Sequence, residues 1–190
     1  MKKLLLTFLL IMVVLKLSSQ SYRFDSIPDS LRKGADAVIR SDQCLYTLIK
    51  PGNAIEKRKK IITLLNENAD HYRYLSVGYD KFSKVNSIKG TIYDEKGEII
   101  KTLGFMDVQD RSAVTGGSFY TDDRVQTLYF PKYKYPYTIE YEYEQEYTSL
   151  MNFPQWIFQD SPQVAVEHSG IQIIVPKDMT LRYFAERMEH

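Results

Sequence analysis

The sequence predicts an all-β fold, an antiparallel β-sandwich or open barrel with one short N-terminal helix. Three observations predict it. In the run from Tyr137 to Tyr147 the even positions 140, 142, 144 and 146 are all Glu, while the odd ones are Tyr, Ile, Tyr, Tyr, Gln and Tyr. A period of two puts these sets on opposite faces of a strand, one packed and one wet, whereas a helix would mix them all round. Short runs rich in Val, Ile, Thr and Tyr recur between turn signals with almost no helical periodicity, the pattern of a sandwich or barrel. The 15 Tyr against 9 Gly favour strands over disorder.

The chain opens with Met1-Lys2-Lys3, an apolar run from Leu4 to Leu15 broken only by Thr7, and then Lys16-Leu17-Ser18-Ser19-Gln20. This is the layout of a secretory signal peptide over residues 1–19. As a helix the apolar run would span about 18 Å, short of the ~30 Å hydrocarbon core. The mature protein is therefore expected to be exported, in the periplasm or at the cell surface or outside, with no membrane span after cleavage. Cleavage removes three of 25 basic residues and none of 24 acidic ones, moving the formal charge from +1 to −2. No basic field is left to attract nucleic acid.

Residues 20–36 form an N-terminal segment in which Ile27-Pro28-Asp29-Ser30-Leu31-Arg32 predicts a short helix, with Pro near the first helical position. Residues 37–185 are expected to form the β-sandwich domain, leaving 186–190 as a C-terminal tail. Within it, Val38 to Ile49 and Glu56 to Leu65 predict a hairpin closed by Lys50-Pro51-Gly52-Asn53. Tyr72 to Tyr79 reads as the next strand. Lys89 to Tyr93 and Glu98 to Lys101 flank Asp94-Glu95-Lys96-Gly97, whose Asp and Gly suit a type I turn with a glycine bulge. Residues 104–123 read as a polar connection. Val125 to Phe130 and Tyr137 to Tyr147 are strands joined by a link in which Pro131 and Pro136 cannot donate to a ladder. Gln163 to Val166 and Gly170 to Val175 predict two short final strands.

Several of these segments together resemble a known family. They are Ala35-Asp36-Ala37-Val38-Ile39, the stretch Ile88 to Gly97, Ile139-Glu140-Tyr141-Glu142-Tyr143, and Trp156 followed by Phe158 and Pro162. They resemble the bacterial domain of unknown function that follows a signal peptide and precedes a transglutaminase-like domain in exported proteins. The likeness covers most of residues 27–185. It implies a β-rich, non-catalytic module whose partner is a transglutaminase-like domain or another exported protein. It also implies that the transglutaminase-like core, with its Cys, His and Asp, is absent from these 190 residues, so that the chain is a fragment or a free-standing module.

The residues themselves support the same expectation. Cys44 is the only cysteine, so no intrachain disulfide forms, and its mid-strand setting suits a buried structural thiol better than a nucleophile. His71, His168 and His190 are scattered, giving neither a base for Cys44 nor a zinc spacing. Asp107, Asp110, Asp122 and Asp123 carry the hard oxygens calcium prefers but not the order of an EF-hand, so a solvated loop is expected. Glu140, Glu142, Glu144 and Glu146 read as a solvated face balanced by a lysine on a neighbouring strand, with Lys57, Lys59, Lys81 and Lys101 as candidates. No catalytic, cofactor-binding or metal-ligating residue is expected. The contact candidates are Tyr133, Tyr135, Tyr137 and Trp156, which suit a partner protein or, alternatively, a surface glycan.

Overall fold

The computed structural model describes residues 22–113, 122–150 and 156–182. The expected signal peptide and C-terminal tail lie outside the described residues. A 3-10 turn (Phe24–Ser26) and one short helix, α1 (Asp29–Arg32), precede the strands. The strands are β1 (Ala37–Lys50), β2 (Asn53–Leu64), β3 (Tyr74–Tyr79), β4 (Ser83–Tyr93) and β5 (Ile99–Leu103). They continue with β6 (Val108–Ser112), β7 (Arg124–Tyr129), β8 (Tyr137–Tyr147), β9 (Val164–Val166) and β10 (Ser169–Ile174).

The large sheet runs in the order β10-β1-β2-β8-β4-β5, with β9 also on β1, and the small sheet runs β3-β7-β6. The open order, with β10 and β5 at its ends, makes a sandwich rather than a closed barrel. The β4–β5 turn forms as its residues predict. Asp94 Oδ1 accepts from the backbone N–H of Lys96 and Glu98, both at 2.9 Å, and Gly97 takes a φ of +82° that suits glycine.

Three features depart from the sequence expectation. Residues Glu67–Arg73 form a 3-10 stretch capped by Asn66, so Tyr72 precedes β3 rather than starting it. The connection after Gly104 contains a 3-10 turn (Phe105–Asp107) and then β6, an edge strand whose polar sequence Val-Gln-Asp-Arg-Ser hides it. Finally, β9 and β10 pair with β1 in parallel, while every other pairing is antiparallel. Strand β8 runs the same way as β1, because β2 lies antiparallel between them. Strands β9 and β10 therefore run the same way as β8 as well as β1.

The core lies between the two sheets. Ile39, Ile62, Ile139 and Ile92 occupy one cross-strand row of the large sheet, and Leu75, Val77, Leu128 and Phe130 approach from the other side. Each such burial contributes roughly 1.5–3 kcal/mol relative to exposure. Gly90 is a point of close approach between the sheets. A Cβ there would lie 2.5 Å from Phe130 Cζ and 3.1 Å from Leu128 Cδ2.

Among the described residues, the opposite face of the large sheet is buried around one row. Val38, Thr63 and Thr138 point outward in one row yet are fully buried, with the two threonine hydroxyls 2.8 Å apart. The N-terminal segment closes over them. Tyr22 stacks on Tyr93 with ring centroids 4.1 Å apart, and Ile27 is buried. Arg40, at a bulge in β1, donates to Arg23 O at 3.0 Å and Ser26 Oγ at 2.7 Å.

Candidate functional site

Away from the apolar core, the inward face of the large sheet becomes polar. Asp42 faces Lys60, Cys44 faces Arg58, and Tyr46 faces Glu56 across the β1–β2 hairpin. Tyr141, Tyr143 and Gln145 continue these rows on β8. Charge on an inward face is stable only when it is paired and hydrogen-bonded. Asp42, at 0% exposure, accepts from Arg58 Nε at 2.8 Å and Nη2 at 2.7 Å, with Lys60 Nζ 3.5 Å away. The Asp42 hydrogen bonds hold the Arg58 guanidinium far above its ordinary range. Burial lowers the Lys60 amine, against the pull of Asp42.

Glu56 forms the second half of the cluster. It accepts from the Tyr143 hydroxyl at 2.6 Å and the Tyr147 hydroxyl at 2.7 Å. Burial, and then Glu56 through its charge and its hydrogen bonds, push both phenols far above the ordinary tyrosine value. The buried Cys44 thiol lies 3.9 Å from Glu56 and is pushed up to about 11, first by burial and then by that carboxylate. A thiol so placed stays protonated at neutral pH and is a poor nucleophile. His71 sits on the exposed 3-10 stretch with Nδ1 3.1 Å from Asn68 O, and His190 lies outside the described residues. The two buried carboxylates, Asp42 and Glu56, are thus each held by internal partners.

The outward face carries the glutamate row. Lys59 Nζ lies 2.8 Å from Glu140 and 3.0 Å from Glu142, Lys57 pairs with Glu144 at 2.9 Å, and Lys89 pairs with Glu142 at 2.7 Å. Two of the four candidate lysines, Lys57 and Lys59, thus pair with Glu140, Glu142 and Glu144 of the row. Lys81 instead lies over the Phe82 ring, and Lys101 is an exposed residue of edge strand β5. Lys89 lies outside the four candidates, and its position directly opposite Glu142 on β4 follows once β4 and β8 are paired. Around these side chains the sheet forms an open trough of about 480 Å³, whose walls include Gln43, Leu45 and Gln172.

The four contact candidates do not form one surface. Tyr137 is 1% exposed and belongs to the core, with Tyr133 and Tyr135 packed against it at centroid distances of 6.1 and 5.3 Å. The Tyr135 hydroxyl donates to Asp70, which also binds Lys132 at 3.3 Å and Arg73 at 3.2 Å. The rings of Tyr133 and Tyr135 are therefore partly buried against the core, because Tyr turns its ring inward where its hydroxyl finds an acceptor. Trp156 stands apart, half-buried, with Phe158 6.5 Å away. The acidic loop residues do not converge either. Asp107 accepts from Gly104 N at 2.9 Å, and Asp110 pairs with Arg124 at 2.8 Å. Among the described residues no helix is long and apolar enough to cross a membrane.

Comparison with solved structures shows the fold in a larger protein. A candidate protease from Parabacteroides distasonis superposes with a TM-score of 0.59 at 13% identity, over 75% of this chain and 29% of that one. An M1 zinc metallopeptidase from Deinococcus radiodurans is 11% identical over 60% of this chain and 21% of its own, with a TM-score of 0.26 too low to carry an argument. The chain thus spans under a third of the length of either protein. No curated protein matches it. Residues 50–190 match the domain of unknown function DUF3857, and the chain belongs to that family.

Proposed function

We propose that the chain is an exported, non-catalytic β-sandwich module that docks on a transglutaminase-like or protease-like catalytic domain. The observation that carries this reading is the likeness to a candidate protease of which this fold makes up 29%. In that protein most of the chain is something else. The state of the titratable groups supports the non-catalytic half. Asp42 and Glu56 are held by Arg58, Tyr143 and Tyr147, and the Cys44 thiol is buried and raised. Export rests on the layout of residues 1–19.

Assays of the purified chain for peptide hydrolysis and transamidation test the reading, with a Cys44→Ser variant beside the parent. No turnover by either is expected. Turnover by the parent that Cys44→Ser abolishes would contradict the proposal.

A further inference from the structure

We propose that the free edge of β5, with Phe105 and Met106 beyond it, is the surface on which the catalytic domain docks, by adding an extended strand to the large sheet. The proposal rests on the module reading above and specifies which side of the module the partner covers. Along this side Ile99 is 64%, Ile100 38%, Phe105 86% and Met106 92% exposed. Strand β5 ends the large sheet, β6 ends the small one, and the Phe105–Asp107 turn joins them. Among the described residues β5 pairs only with β4 and β6 only with β7. The outward N–H and C=O groups of β5 therefore point to where another strand would lie. Edges left open to water usually carry proline, dense charge or a very short strand. Here the edge reads Ile-Ile-Lys-Thr-Leu, with a single lysine and, as its one blunting feature, a bulge at Ile100.

Size selects the occupant. At these exposures the four apolar side chains present roughly 500 Å². A stable complex of free partners buries about 800 Å² on each side, so a second free copy of this chain is disfavoured. Interfaces between domains of one polypeptide are smaller, because the linker supplies the effective concentration that area otherwise must. The glutamate–lysine face offers less to a partner, since its charges already bind one another.

Amide hydrogen exchange tests this, on the chain alone and on the chain fused to a transglutaminase-like or protease-like catalytic domain. In the fusion, β5 amides facing away from β4 exchange at least about tenfold more slowly. The variant Phe105→Ser/Met106→Ser loses that protection while the isolated chain keeps its Tm, because both side chains are exposed. Protection at another face with β5 unchanged, or protection that survives the double substitution, overturns this docking edge and leaves the module reading standing. Fusion without new protection anywhere removes both. Dimerisation of the isolated chain through β5 would assign the edge to a second copy and overturn the proposal.

Discussion

Arg58 grips Asp42 through two hydrogen bonds, Nε to Oδ1 at 2.8 Å and Nη2 to Oδ2 at 2.7 Å, on the inward face of the β1–β2 hairpin. Asp42 is fully buried, and Lys60 lies 3.5 Å from the same carboxylate. Removing the acid leaves two cations facing each other without a counter-charge. Asp42→Ala is expected to destabilise the chain by about 3–5 kcal/mol in urea unfolding, whereas Asp42→Leu/Arg58→Met should recover most of that loss. An additive double variant would show that the two side chains do not act as a pair.

Gly90 predicts a second large effect. A methyl group there would meet the Phe130 ring, which is itself fully buried and has no room to retreat. Gly90→Ala is expected to cost about 1–3 kcal/mol by overpacking. Combining it with Phe130→Leu should return part of the loss; a silent Gly90→Ala would mean that the two sheets are not in contact at this point.

Cys44 should resist thiol reagents in the native state and react once the chain is unfolded in guanidinium. Its folded value of about 11 stands above the ordinary 9.0. A raised value means that the contribution to stability is complete below pH 9.0 and lost as pH rises toward 11. Rapid native labelling at pH 7 would contradict the buried setting.

Acid should weaken the outward face. Lys89, with Lys59, holds Glu142 below the ordinary value of 4.5, and Lys57, with Asn86, does the same for Glu144. A depressed carboxylate contributes stability that is complete above pH 4.5 and lost as pH falls through its lower folded value. These pairs are partly exposed, so each is expected to contribute roughly 0.2–1 kcal/mol, and less in high salt. The triple variant Lys57→Gln/Lys59→Gln/Lys89→Gln should flatten the acid limb of a Tm-against-pH curve; an unchanged limb would remove these pairs from the account.

The strands that could be read in advance are those whose pattern is local. Tyr141 and Tyr143 alternate with glutamates, and the Asp94–Gly97 turn dictates its own hairpin. Strand β6 was hidden because Val108-Gln109-Asp110-Arg111-Ser112 is polar on both parities, as an edge strand allows. The parallel placement of β9 and β10 depends on pairing with a strand far away in the sequence, β1, which no local pattern records. The buried charge cluster was hidden for a similar reason. Residues Glu56 to Lys60 are all charged, so either choice of inward face buries charge. Tyr137 belongs to the core because its ring, like those of Tyr133 and Tyr135, packs inward despite the prolines beside it.

The central claim is that the module is built to be docked on a catalytic domain. Scanning calorimetry of that catalytic domain, with and without this chain attached, tests it most directly. Docking predicts a coupling of about 1–3 kcal/mol, which raises the catalytic domain's Tm by several degrees in the fusion. Identical Tm values for the free and the attached catalytic domain would contradict the account.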